Sequence, residues 1–339
     1  MKNPDGSRAL CADATEVSLT GPATAGAAPA PASTPRGDAC AIHTAGLSKR
    51  YGATLALDRL DLTVHRGEVY GYLGPNGAGK TTTIRLLLGL HRSSAGSAEL
   101  FGIDAWSDPV RAHRRLACVA GEPFLWPALT AAETFEFLAR LHGGTDVAYR
   151  DELVDRFQLD TRKKIRALSK GNRQKVQLVA ALATRAELLL LDEPTSGLDP
   201  LMEMAFRECV EEARRRGQTV FLSSHILSEV EALCDRVGIL RGGRLVDEGT
   251  LQELRHLGAQ TVEVVFAGGT PELPPLPGVH VEPAGPNALR FEVSGSVGAL
   301  IAALGGVGGD RIETLTSREP SLEEIFLHHY DGSDGRFHG

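Results

Sequence analysis

The sequence predicts an α/β fold in which a mostly parallel sheet is organised around one glycine-rich loop, with a smaller α/β unit towards the C-terminus. Three observations predict it. Gly74-Pro75-Asn76-Gly77-Ala78-Gly79-Lys80-Thr81-Thr82 fits the pattern G-x-x-x-x-G-K-[ST]. It lies between a short apolar run, Val69 to Leu73, and a stretch from Thr81 to Leu90 with Ile84, Leu87 and Leu88 at helical spacing. Leu188-Leu189-Leu190-Leu191 runs into Asp192-Glu193, as suits a strand buried on both faces of a parallel sheet. Beyond Leu257 the pattern changes to the alternating runs Val262, Val264, Phe266 and Leu289, Phe291, Val293.

The residue types of the glycine-rich loop match phosphate chemistry. Glycines tolerate positive φ and carry no side chain, so the loop can wrap closely around an anion. Its N–H groups and the following helix N-terminus then face the phosphates. Lys80 places a charge on the β- and γ-phosphates, and the Thr81 hydroxyl can ligate Mg²⁺.

Length and composition bound the rest. At 339 residues the chain suggests about two domains. Hydrophobic content of 42% and charge of 23% are those of a soluble globular protein. The net charge of −7 and the shortness of the basic runs, Arg162-Lys163-Lys164 and Arg214-Arg215-Arg216, argue against nucleic acid as a partner. The five cysteines form no C-x-x-C pair, which suits a reduced, cytosolic protein. No stretch reads as a membrane span or a signal peptide. The charge-free run Val293 to Gly309 is interrupted by glycines and serines and reads as strand, turn and helix.

In chain order, residues 1–39 are rich in Ala, Pro, Thr and Gly, with few large apolar side chains, and are expected to be disordered. Leu60, Leu62 and Val64 alternate with polar residues in a half-buried strand, preceded by Tyr51. Gly96 to Gly102 reads as another short strand. Residues from about Leu129 to Leu168 read as helical, with Thr130 capping a helix that carries Phe135, Phe137, Leu138 and Leu141. Leu168-Ser169-Lys170-Gly171-Asn172 leads into a helix from Lys175 to Thr184. Val220-Phe221-Leu222-Ser223-Ser224-His225 is again an apolar strand with a polar end. After the alternating runs beyond Leu257, and a proline-rich connection from Pro271 to Pro277, come a helix from Val297 to Leu304 and a strand from Ile312 to Leu315. Ser321-Leu322-Glu323-Glu324 forms a capping box opening a last helix with Ile325, Phe326 and Leu327.

The acids and the histidine complete a phosphoryl-transfer set. An Asp ending a buried strand beside such a loop holds Mg²⁺, and Asp192 fits that role. Glu193 is placed to polarise the attacking water. His225, at a third strand end, is placed to hydrogen-bond the γ-phosphate and sense its loss.

Together these pieces resemble the ATP-binding subunit of an ABC transporter, over about Ala41 to Leu257. Within that resemblance Gly74 to Thr82 match the Walker A motif, and Tyr51 the aromatic residue that stacks on adenine. Leu168 to Asn172 match the signature motif, here LSKGN where LSGGQ is commonest. Asp192 and Glu193 match the Walker B acid and catalytic glutamate, Ser196 to Asp199 the D-loop, and His225 the switch histidine. The resemblance implies the ABC type of P-loop NTPase fold, with an antiparallel β subdomain and a helical subdomain at about 122–170. It implies ATP and Mg²⁺ as ligands, and two copies or paralogous subunits pairing head to tail. Ser169, Lys170, Gly171 and Asn172 would then act across the dimer. Gly121 or Glu122 stands where the family carries a glutamine, and Glu122 is a further candidate for contact with the metal. The segment after Leu257, ending in Ser321 to Phe326, resembles the C-terminal domain of drug- and antibiotic-exporting members of the daunorubicin-resistance type.

The expected organisation is therefore an extension at 1–39, an ATP-binding domain at 40–257, an accessory α/β domain at 258–331 and a tail at 332–339. The expected function is that of the ATPase subunit of an exporter of drugs, antibiotics or lipid-like compounds. It would lie in the cytoplasm on the inner face of the membrane, with an integral membrane subunit on a separate chain. Two competing readings are a soluble ABC ATPase of DNA repair or translation and a nucleotide-gated regulatory module. Acidic charge and the lack of zinc cysteines or a coiled coil weigh against the first, intact Lys80, Asp192, Glu193 and His225 against the second.

Overall fold

A computed structural model of the chain describes residues 40–257, 260–271, 273–307, 311–318 and 321–330. The disorder expected of 1–39 and the loose tail at 332–339 lie outside the described residues.

The described chain opens with a hairpin of β1 (Cys40–Tyr51) and β2 (Thr54–His65), closed where Tyr51 pairs with Thr54. Next come β3 (Val69–Leu73), the glycine-rich loop and α1 (Lys80–Leu87). The strands β4 (Ala95–Leu100) and β5 (Ile103–Asp104) join the hairpin in an antiparallel sheet of order β2-β1-β4-β5. A short α2 (Pro109–His113) leads into β6 (Leu116–Val119), a strand that sequence patterning had not singled out.

The helical part holds α3 (Ala131–His142), α4 (Val147–Arg156) and α5 (Lys170–Leu182). The capping box at the start of α3 is complete: Thr130 Oγ1 accepts the Glu133 N–H at 3.2 Å, and the Glu133 carboxylate accepts the Thr130 N–H at 2.7 Å. The helical reading of 129–168 is only partly right. The chain leaves the helix after Arg156 because Gln158 adopts a left-handed backbone and the Asp160 carboxylate takes the Arg162 N–H at 3.1 Å. Thr130 and Lys164 then meet in a β-bridge that returns the chain to the base of α3.

The second half supplies β7 (Leu188–Asp192), α6 (Pro200–Arg215), β8 (Thr219–Ser224), α7 (Leu227–Leu233), β9 (Arg236–Arg241), β10 (Arg244–Thr250) and α8 (Leu251–Leu257). The central sheet runs β10-β9-β3-β8-β7-β6 and is parallel except for its edge strand β10. All four leucines of β7 are fully buried, as strands covered on both faces require. One apolar layer (Tyr70, Tyr72, Leu188, Leu190, Phe221) packs towards the antiparallel sheet, and the other (Leu73, Leu189, Leu191, Leu222) towards the helices.

The remaining strands, β11 (Gln260–Phe266), β12 (Val279–Gly285), β13 (Ala288–Val293) and β14 (Ile312–Arg318), form a separate antiparallel sheet of order β12-β13-β11-β14. Val262, Val264, Phe266, Phe291 and Val293 face Leu300 and Leu304 of α9 (Gly298–Val307) in a small core of their own. The strand β12 escaped the sequence reading. It is a largely exposed edge strand containing Pro283, which an edge tolerates. The last helix, α10 (Leu322–Tyr330), returns to the part built on the central sheet, where Leu322 and Ile325 join the core of Val230, Leu233 and Leu254. Its start carries the expected capping box between Ser321 and Glu324, and its first N–H bonds Glu231 on α7 at 2.9 Å. Among the described residues no helix is long and apolar enough to cross a membrane.

Candidate functional site

The site forms at the carboxyl ends of three adjacent parallel strands, β3, β8 and β7, where open α/β sheets place their ligands. After Leu73 the loop turns so tightly that a Cβ on Gly74 would sit 2.7 Å from the Leu240 carbonyl oxygen. Gly79 has φ +117, and a Cβ there would sit 2.7 Å from the Ala56 carbonyl oxygen. Glycine at both positions lets the backbone curl over its own chain and leaves the N-terminus of α1 without a side-chain cap. The tip, Asn76 and Gly77, is exposed, while Pro75 accepts the Ala78 N–H in a turn.

Lys80 begins α1 and is only 6% exposed. Its ammonium donates to the Gly74 carbonyl at 2.5 Å and lies 3.3 Å from Glu193 Oε1. Thr81 Oγ1 donates to Asp192 Oδ2 at 3.0 Å, and Ser223 Oγ on β8 donates to Asp192 Oδ1 at 2.5 Å. Glu193 leaves the end of β7 in a left-handed backbone, φ 49, held by its N–H to the Ser223 carbonyl at 3.0 Å. Its second carboxylate oxygen pairs with His225 Nδ1. One carboxylate therefore bridges a buried lysine and a half-exposed histidine, one residue after an acid bonded by two hydroxyls. Nearby, burial, with the Asp192 charge adding to it, pushes the Cys118 thiol up to about 12, so Cys118 stays a neutral thiol.

Thr81, Asp192 and Ser223 present a carboxylate and hydroxyls, a hard oxygen set of the kind that suits Mg²⁺, which is held through one or two carboxylates, phosphates and waters. Gly121 lies directly beside this set: a Cβ there would be 3.5 Å from Asp192 Oδ2. Glu122, the neighbouring candidate, is exposed. The sequence alone left open which of the two faces the acid. Ser223 was not singled out, although its signal was present, a hydroxyl ending an apolar strand two residues before His225.

Tyr51 ends β1 with 41% of its surface exposed, its ring edge-on to His91 and under the Lys49 ammonium. The hairpin it closes borders the loop, since Ala56 on β2 is the residue that Gly79 touches. The stretch Ser169 to Asn172 opens α5. Ser169 is its N-cap and accepts the Asn172 N–H at 3.2 Å; Lys170 reaches Ser196 Oγ at 3.4 Å; Gly171 abuts the Gly197 carbonyl. Asp199 caps α6 through the Met202 N–H. Among the described residues no hydrogen bond or ion pair joins Ser169–Asn172 to the loop Gly74–Thr82, so the chain carries them as two separate surfaces.

Comparison with known proteins matches residues 57–196 to the family model "ABC transporter" and residues 249–330 to "ATP-binding protein DrrA1-3-like, C-terminal domain". The chain is 39% identical over 313 residues to the daunorubicin resistance ATP-binding protein DrrA3 of Streptomyces coeruleorubidus, across 87% of this chain and 97% of that protein. It is 38% identical over 225 residues to the bacitracin transport ATP-binding protein BcrA of Bacillus licheniformis, across 66% and 74%. It is 35% identical over 294 residues to the Nod factor export ATP-binding protein I of Cupriavidus pinatubonensis, across 82% and 87%. A solved ATP-binding subunit of an ABC transporter superposes with a TM-score of 0.60 at 33% identity, covering 63% of this chain and 91% of its own. A dimeric ATP-binding cassette bound to ADP and Pi superposes at 0.57 with 23% identity, covering 62% and 98%, a likeness of fold.

Proposed function

The chain belongs to the ABC transporter family of ATP-binding proteins, and we propose that it drives export of a drug, antibiotic or lipid-like compound through a membrane-spanning subunit on a separate polypeptide. It is an ATPase of the ABC exporter class with a C-terminal domain of the DrrA1-3-like kind. The observation that carries the mechanism is the bridging of Glu193 between Lys80 and His225, directly after Asp192.

Each residue then has a role. The backbone N–H groups of Asn76, Gly77 and Gly79 to Thr82 wrap the phosphates, and Lys80 exchanges its Glu193 oxygen for β- and γ-phosphate oxygens. Thr81 and Asp192 would hold Mg²⁺, which neutralises charge on the phosphate oxygens. Glu193 accepts a proton from the attacking water on the oxygen that Lys80 gives up, and His225 holds the other oxygen of that carboxylate. Tyr51 supports the adenine. Gly121, having no side chain, would add no ligand beside Asp192 Oδ2, and Glu122 has no metal role in this reading.

Ser169, Lys170, Gly171 and Asn172 serve a second nucleotide held by another copy or a paralogous subunit, as the separation of the two surfaces within one chain supports. Because both surfaces touch nucleotide only when two subunits close, ATP shifts the population towards the closed pair and hydrolysis removes that bias. The accessory part beyond 257 is a distinct α/β domain whose last helix anchors it to the cassette, and the protein works as a peripheral subunit on the cytoplasmic membrane face.

The test is affinity purification of the tagged chain from detergent-solubilised native membranes, with mass spectrometry of what accompanies it. Recovery of a multi-span membrane protein supports the exporter reading and identifies the subunit whose cavity sets the substrate. Recovery of ribosomes or DNA-repair proteins instead refutes it while leaving the ATPase chemistry standing.

A further inference from the structure

Glu229 is a buried carboxyl that the mechanism above does not use. It lies in the first turn of α7, under the site, and is 2% exposed. Burying a carboxyl is costly unless its bonds do something for the fold, so where those bonds go is informative. Ser224 Oγ donates to Glu229 Oε2 at 2.8 Å. Ser224 directly precedes His225. Its oxygen also accepts the Ile226 N–H at 3.0 Å, so one hydroxyl brackets His225 from both sides of the chain. Because Glu229 accepts the Ser224 proton, the hydroxyl's lone pairs are left free for that N–H. The partner of His225, Glu193, is held separately, by a turn where Ser196 N–H bonds the Glu193 carbonyl at 3.1 Å and Gln174 holds the Pro194 carbonyl at 3.0 Å. That turn keeps Glu193 at φ 49, a backbone that persists only where the surroundings hold it.

We propose that Glu229 is a positioning residue for hydrolysis, a single buried carboxyl that holds the Ser224 hydroxyl around His225 and so fixes the His225 side chain against Glu193. It touches neither nucleotide nor water. Its effect falls on the distance and angle between the two side chains, to which a proton-transfer step is steeply sensitive, and not on the loop that binds phosphate. Burial pushes its carboxyl above the ordinary value, and the contact that matters is the acceptance of the Ser224 proton by Oε2. A neutral isostere that keeps the accepting oxygen should then serve almost as well.

The inference rests on Glu193 and His225 being the hydrolysis pair, and the experiment separates the two. Full-length Glu229→Ala, Glu229→Gln, Ser224→Ala and Glu193→Gln are compared for kcat and KM with MgATP, each rate normalised to nucleotide-binding sites counted by ATP titration, so that lost folded protein does not register as lost turnover. The expected result is a fall in kcat of about tenfold or more for Glu229→Ala, with KM within about twofold. Glu229→Gln should recover to within about threefold of the native rate, and Ser224→Ala should fall in the same kcat-selective way. If Glu229→Ala does not fold, Glu229→Gln and Ser224→Ala carry the test. Native kcat in Ser224→Ala or in folded Glu229→Ala overturns the proposal, as does a Glu229→Gln variant as impaired as Glu229→Ala. Native turnover in Glu193→Gln overturns the hydrolysis pair itself and this inference with it.

Discussion

Replacing Glu193 by glutamine is the most informative perturbation of the site. The substitution keeps shape and removes charge, so the left-handed turn and the bond to Ser223 stay in place. Two effects follow with opposite signs. Turnover loses its general base, and such a group contributes about 10²- to 10⁴-fold. Binding changes the other way, because Lys80 no longer gives up a carboxylate partner when it takes a phosphate. At 3.3 Å and an effective dielectric of about 20 the gross attraction of that pair is roughly 5 kcal/mol. The net worth of a charge-assisted bond, after solvation, is about 1.5–3 kcal/mol. The glutamine oxygen keeps part of it, which leaves about 1–2 kcal/mol, or about 5- to 30-fold tighter ATP binding. Steady-state hydrolysis and calorimetric titration with MgATP measure the two effects, and gel filtration with ATP should show the variant accumulating as a dimer. A variant that turns over within about threefold of the native rate would refute the assignment of Glu193 as base, and an ATP-loaded variant that stays monomeric would refute closure by paired subunits.

Three further outcomes are expected. Lys80→Ala leaves Glu193 with His225 alone and removes the phosphate-facing charge, and should weaken ATP binding by about 10- to 150-fold, about 1.5–3 kcal/mol, in the same titration. Gly79→Ala forces a side chain into φ +117 and against the Ala56 carbonyl and Leu57; strain of about 1–3 kcal/mol and overpacking of similar size should lower the melting temperature and abolish nucleotide binding together. The Arg115 guanidinium on Glu187, and that of Arg318 on Glu324, hold these carboxyls below their ordinary value. A carboxyl lowered in the folded state contributes stability that is fully present above its unfolded value and lost as pH falls through the folded one. The melting temperature should therefore drop as pH is lowered below about 4.3, less steeply in Glu187→Gln, and an unchanged slope in that variant would show that the ion pair is not coupled to folding.

Much of the site was legible in the sequence because it is built from contiguous chain. A loop of fixed glycines before a lysine, two acids after four leucines, and a histidine after an apolar strand are local patterns, each dictated by a backbone conformation or a strand end. Their common location then follows from parallel pairing, which brings all the carboxyl ends to one edge. The caps at Thr130 and Ser321 are equally local, since each closes within four residues.

What the sequence could not decide depends on contacts between distant segments. That Gly121 and not Glu122 faces Asp192 is set by how β6 pairs with β7 and where the chain leaves that strand. Ser223 acts on an acid 31 residues away, and α10 reaches back across 91 residues to bond α7. The edge strand β12 is held by its partner β13 with little burial of its own, so hydrophobic alternation barely marked it. By itself the sequence determined the phosphate-binding chemistry, its acids and the two-part α/β organisation, because those are properties of short segments. Only the tertiary structure decided that one carboxylate bridges Lys80 and His225, and that the buried Glu229 carboxyl holds the Ser224 hydroxyl beside His225. Both are hydrogen-bond and charge arrangements that exist only once the strands and α7 have packed.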